Sequence, residues 1–167
     1  MAKPVATTDH GPGATPRLSV RHILSRLREL PPSEIALAAE AFATLAVVRA
    51  GLAVLPFATV MRLFRLRSGP APSSAEAECA ARDYALRRIG RAIDRGQRLA
   101  PFRAVCLEQA IAACLMIRRR RVPTHFHLGV AKGDESMTAH AWACSGSRIV
   151  TGRAGIGDHV RIATFTA

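Results

Sequence analysis

Cys106-Leu107-Glu108-Gln109-Ala110-Ile111 opens the run that decides the fold, and Ala139-His140-Ala141-Trp142 is its counterpart further along the chain. From Cys106 the apolar positions Leu107, Ala110, Ile111, Cys114 and Leu115 fall three and four apart, the spacing of a helix buried along one stripe. That helix ends in Arg118-Arg119-Arg120-Arg121, cations that suit a helix C-terminus without any nucleic-acid partner, and Pro123 blocks continuation. Beyond Pro123 the texture changes to short strand-like runs over 124–131, 139–144, 148–151 and 160–166. The breaks contain Gly133-Asp134 and Ser145-Gly146-Ser147, suitable turn residues for antiparallel connections. Helices first and a meander last predict an α+β fold.

Upstream, residues 1–16 are rich in Gly, Pro, Thr and Ala without periodicity and are expected to be disordered. Leu18, Ile23, Leu24, Leu27 and Leu30 stand near helical spacing and stop before Pro31-Pro32. Ser33 is a candidate N-cap for a helix beginning at Glu34 and running to about Arg49 or Gly51, with a second piece over 52–66 bent or restarted at Pro56. Residues 68–74 read as a linker. A helix over 75–95 follows, with Leu86, Ile89 and Ile93 on its buried face, Arg87, Arg88, Arg91 and Arg95 mostly on the wet side, and Gly96 as its stop. The expected organisation is one domain over 17–167, with a helical front half over 17–95 and the Cys106 helix and antiparallel strands over 97–167.

At 167 residues the chain can bury a core without staples, and 24 basic against 12 acidic side chains leave a formal charge of +12. An acidic partner is favoured over a basic one. Nucleic acid is not expected, because helix-turn-helix and zinc spacings are missing and only Tyr84, Phe57 and Phe64 place rings near basic clusters. Cys79, Cys106, Cys114 and Cys144 show no C-x-x-C spacing and the first residues do not form a signal peptide, so a reducing, cytoplasmic setting is expected. Membrane association is not expected either: residues 35–64 are apolar but interrupted by Glu40, Arg49 and Pro56, and read as buried helices.

A thiol is a nucleophile as its thiolate, which a helix N-terminus favours through unpaired N–H groups and the helix dipole, while an adjacent imidazole takes the proton. Cys106 stands at such a start, where its own backbone N–H could also stabilise an oxyanion. Alternation puts His140, Trp142 and Cys144 on one strand face and Ala139, Ala141 and Ala143 on the other; if the first face packs over the helix start, His140 meets Cys106. Against this stands the plainer reading that a cysteine opening a buried helix is a packing residue, as are Cys114 and Cys144. Trp142 is a candidate substrate contact, although core packing explains it most economically. His125 and His127 form an i, i+2 pair that could ligate a metal with His140 or Cys144, but no close cysteine or second histidine motif completes the site, and no metal or other cofactor is expected.

Taken together, Cys106-Leu107-Glu108-Gln109-Ala110, Arg118-Arg119-Arg120-Arg121-Val122-Pro123, Phe126-His127-Leu128-Gly129-Val130, Ala139-His140-Ala141-Trp142 and Ile149-Val150-Thr151-Gly152 resemble the stand-alone leader-peptidase subunit of lasso-peptide biosynthesis, a transglutaminase-like (papain-like) cysteine peptidase. The resemblance spans roughly 35–165, in motif and spacing over 106–152 and in texture before that. It implies an enzyme that removes the leader from a ribosomal precursor peptide so that a separate macrocyclase can close the ring. A leader-recognition protein acting in trans is implied as well, since the N-terminal half reads helical rather than as a small strand-rich module; ATP dependence would enter through the cyclase partner. By the same resemblance Cys106 is the nucleophile and His140 the general base and later acid. The family usually places an Asp or Asn on the next strand to orient the imidazole, but 148–151 contains neither. Thr151 or Gly152 stands near that place, and Asp158, in a Gly-rich loop, is the candidate orienter. The Arg-Arg-Arg-Val-Pro stretch also lacks the glycine often found before the proline. The alternative reading is a catalytically degenerate module of the same fold that binds an acidic peptide or protein.

Overall fold

The computed structural model describes residues 30–69, 80–132, 137–154 and 156–167. Expectations for the first 29 residues, for most of the linker and for the Gly133-Asp134 turn lie outside these. The described elements are α1 (Pro32–Val54), α2 (Phe57–Leu63), β1 (Arg67–Ser68), α3 (Ala80–Leu99), α4 (Cys106–Arg118), β2 (His125–Lys132), β3 (Met137–Ser145), β4 (Arg148–Thr151), a 3-10 turn (Ile156–Asp158) and β5 (Val160–Thr166). Four helices over one antiparallel sheet make an α+β fold.

The Cys106 helix is the hub. Every residue from Ala110 to Ile117 is buried, because α1 and α3 cover one side of α4 and the sheet covers the other. Its apolar positions therefore run nearly all round, more than the single stripe that the spacing predicts. Leu45 and Val48 from α1, Ile89 and Ile93 from α3, Ile111 and Met116 from α4 and Phe126 from β2 meet in one core. Each such side chain contributes about 1.5–3 kcal/mol through burial. Short Ala141 and Ala143 side chains on β3 let the helix approach the sheet.

The sheet order is β1-β5-β2-β3-β4. It is not the simple meander expected: the chain leaves β4 at one edge and returns as β5 beside β2, antiparallel to it. The two-residue β1 extends the sheet beyond β5, in a place where sequence suggests helix end and linker. Stacking of Phe126 on Phe165, with Phe57 edge-on to Phe165, closes the core beneath that edge.

Helix boundaries depart from expectation for local reasons. α1 begins at Pro32, so Ser33 lies inside it and makes no cap; its hydroxyl instead accepts from Arg88. The helix passes Gly51 and stops at Val54, two residues before Pro56. α3 continues through Gly96 to Leu99, because a Cβ at Gly96 would stand 2.9 Å from the Phe42 backbone nitrogen: the glycine admits α1 rather than ending α3. By length and composition α1 is long and apolar enough to cross a membrane, a test that core helices also pass. Leu37, Ala38, Ala41, Leu45 and Val48 of α1 are buried in the core, while Val47 and Val54 are exposed.

The arginines act as clamps more than as a wet face. Glu34 of α1 accepts from Arg88 and Arg95 of α3, each at 2.5 Å, and Glu40 pairs with Arg119 and Arg120 just beyond α4. Burial raises the Glu34 pKa, but hydrogen bonds and charge from Arg95 and Arg88 outweigh it, so the carboxyl lies below its ordinary value. Asp83 joins Arg87 and Arg148, tying α3 to β4. Arg121 has φ +56°, the left-handed conformation that glycine adopts most cheaply, so the turn after α4 carries a steric cost. Arg121→Gly is expected to stabilise the fold by about 1 kcal/mol in denaturant unfolding; an unchanged or lower midpoint would contradict this.

Candidate active site

Cys106 is the first residue of α4 and is half-buried. The helix start is held by side chains whose pattern the sequence conceals. Glu108, at the third helical position and almost fully buried, accepts from the Val105 N–H at 3.0 Å and from Arg49 at 2.8 Å. A capping box normally announces itself by a Ser or Thr three residues before the Glu; Val105 cannot return the bond, so the signal is only half there. Pairing with Arg49 also offsets a carboxylate charge that would otherwise oppose a thiolate at Cys106. Gln109 donates to Gln97 Oε1 at 2.6 Å and to the Ala104 carbonyl at 2.9 Å, stitching the preceding loop to α3.

One contact fixes the level of the helix against the strand. Thr124 Oγ1 lies 3.6 Å from Cys114 Sγ and donates to the Cys144 carbonyl at 3.0 Å. α4 and β3 are in contact. Eight residues back along α4, about 12 Å, is Cys106; four residues back along β3, about 13 Å, is His140.

Their side chains do not meet as a hydrogen-bonded pair. Ala141 and Ala143 belong to the core shared with α4, so alternation sends His140, Trp142 and Cys144 to the opposite face, together with His125 and His127. The expected packing of the His140 face over the helix start is thus reversed, because the small alanines are what the helix can approach. Among the described residues no hydrogen bond joins Cys106 Sγ to His140.

The far nitrogen of His140 has a defined partner. Its Nε2 lies 2.7 Å from the Gly152 carbonyl oxygen, which can only accept, so Nε2 carries the proton and Nδ1 of the neutral ring keeps its lone pair. Gly152 has φ +76°, and a Cβ there would fall 2.4 Å from the Ala141 carbonyl oxygen; only glycine brings this carbonyl into place. Asp158, the residue expected to orient the ring, sits exposed at the end of the 3-10 turn and makes no hydrogen bond to His140. A nearby backbone carbonyl serves His140 first, and the Asp158 side chain faces solvent. The following residue, His159, brings its ring to 5.3 Å from that of His140.

A family model described as the transglutaminase-like superfamily matches residues 51–164, which include Cys106, Glu108, His140, Gly152 and Asp158 but not Arg49. The chain belongs to the transglutaminase-like superfamily. Neither a curated protein nor a solved structure matches it. The superfamily includes cysteine peptidases, and among the described residues of this transglutaminase-like chain Cys106 is the one cysteine that is not buried. Burial, relieved only in part by Thr124, pushes the Cys114 thiol up to about 12, and burial pushes Cys144 up to about 11. Trp142 is 6% exposed and packs between the His127 and His140 rings, so it has little surface for a substrate and acts as a wall of the imidazole's seat.

Of Cys106, Cys114 and Cys144, only Cys106 is expected to be carbamidomethylated promptly in the folded protein at about pH 8. Peptide mapping after a short iodoacetamide pulse checks this; equal labelling of Cys114 would contradict it.

Proposed function

We propose that this chain is a cysteine peptidase in which Cys106 attacks and His140 moves the proton. On this reading it removes the leader from a ribosomal lasso-peptide precursor in the cytoplasm. The observation that carries the proposal is the Nε2–H bond from His140 to the Gly152 carbonyl, which leaves the Nδ1 lone pair available as a base. A carbonyl orients the imidazole as a carboxylate would, without adding a charge, and supplies the third member that the sequence lacks.

The thiol proton passes to Nδ1 as Sγ bonds to the scissile carbonyl carbon, and the oxyanion falls to the unpaired N–H groups that open α4. Collapse breaks the C–N bond, the imidazolium protonates the leaving amine, and water, deprotonated by the same imidazole, hydrolyses the thioester. On this reading substrate binding has to bring Sγ and the ring together, since in the free chain the ring lies on the sheet face turned away from α4. The five motif blocks from Cys106 to Gly152 support the lasso-leader substrate. A separate recognition protein presents the leader, and a macrocyclase, which brings any ATP requirement, takes the core peptide.

Mass spectrometry of the cognate precursor, incubated with this chain and with the recognition and cyclase partners, tests the reading. Leader and core fragments produced only when this chain is present support it. An intact precursor under all conditions would leave the degenerate binding module, which the face-to-face separation of His140 and α4 favours, as the better description.

A further inference from the structure

The face of the sheet turned away from α4 carries a second cluster of chemistry-bearing side chains. His125 stands directly opposite Cys144 in the β2–β3 register, and His127 follows two residues along on the same face. One donor atom from each lies within 4.8 Å of the others, and all three residues are buried. We propose that His125, His127 and Cys144 form a binding site for a transition-metal ion of the Zn2+ class, separate from Cys106 and independent of the peptidase reading.

Two features point to a ligand rather than to packing. His125 Nδ1 is buried and has no hydrogen-bond partner, an orphaned lone pair or N–H that a closely packed sheet rarely tolerates. His127 Nδ1 lies 2.8 Å from Thr164 Oγ1; with the hydroxyl accepting, the ring is held as the tautomer whose Nε2 lone pair is free. That is the outer-shell arrangement typical of ligating histidines. Sequence spacing raises the His125–His127 pair but offers no close cysteine to complete it, because Cys144 comes from the neighbouring strand and is brought in by register.

The donor set selects the metal. Two imidazoles and a thiolate suit Zn2+ and its softer neighbours, while Ca2+ and Mg2+ need oxygen ligands. Arg161 of β5 opposes a cation here, and the Cys144 thiolate offsets it. Binding breaks the S–H bond heterolytically: the sulfur lone pair goes to the ion and one proton goes to solvent, with no change of oxidation state. The ion would clamp β2 to β3 on the sheet face that also carries His140.

Titration of the reduced full-length chain with Co2+ tests this, followed by absorbance. The expected result is a thiolate-to-cobalt charge-transfer band saturating at one equivalent, displaced by Zn2+, unchanged in Cys106→Ala and absent in Cys144→Ser. His125→Gln should weaken Co2+ binding at least about tenfold, since loss of outer-shell partners alone costs that much. Circular dichroism confirms folding; if Cys144→Ser does not fold, His125→Gln decides, and unchanged affinity there overturns the proposal. No band in the wild-type chain, a band that survives Cys144→Ser, or one abolished by Cys106→Ala would also overturn it.

Discussion

Cys106→Ala is expected to lower the rate of leader release about ten-thousand-fold or more, with the thermal transition essentially unchanged. The size follows from covalent catalysis: without the nucleophile only binding and oxyanion stabilisation remain, and single losses in such machinery cost about as much as removing the whole set. The unchanged stability follows from position. Cys106 is half-buried at a helix start, where truncation leaves no large cavity, and Glu108, Arg49 and Gln109 hold the turn without it. Quantitative mass spectrometry of precursor cleavage, beside a melting curve, checks both halves. A Cys106→Ala variant that releases leader at the wild-type rate would remove Cys106 from the chemistry.

Gly152→Ala is the second large effect. Its φ of +76° disfavours any side chain, and the added Cβ would lie 2.4 Å from the Ala141 carbonyl oxygen and 2.9 Å from Trp142 Cα, both backbone atoms that cannot rotate away. Destabilisation of about 3 kcal/mol is expected from strained backbone alone. Activity should fall further than unfolding explains, on the order of a hundredfold at a temperature where the variant is fully folded, because displacing the carbonyl frees the His140 tautomer and removes the poised base. Wild-type turnover in folded Gly152→Ala would mean that the carbonyl does not position the imidazole.

Much of this site is legible in the sequence, and what is missing shares a cause. Cys106 as the first helical residue and His140 on a strand follow from spacing and turn residues, which act locally. The orienter is hidden because it is a main-chain oxygen: no side-chain code marks it, and a search for an acid leads to Asp158, whose side chain faces solvent. Glu108 escapes because its cap partner is a valine. Which face of β3 meets the helix is decided by the size of Ala141 and Ala143 against a crowded α4, a tertiary choice that alternation leaves open. The placement of β5 beside β2 is likewise invisible locally, since runs separated by turns look the same in a meander and in this order. Arginine patterning misleads in a different way: Arg88 and Arg95 lie opposite the Leu86 stripe, yet Glu34 comes across from α1 and turns them into clamps.

The relation between Cys106 and His140 is the centre of the proposed mechanism, and the reactivity of the thiol reports on it without any substrate. The measurement is the second-order rate of Cys106 alkylation by iodoacetamide near neutral pH, read by peptide mass spectrometry in the wild-type chain and in His140→Ala. A loss of about tenfold or more in His140→Ala is predicted, because the imidazole would no longer draw the proton from sulfur. Equal rates in the two proteins, both folded, would contradict the pairing of this thiol with this base.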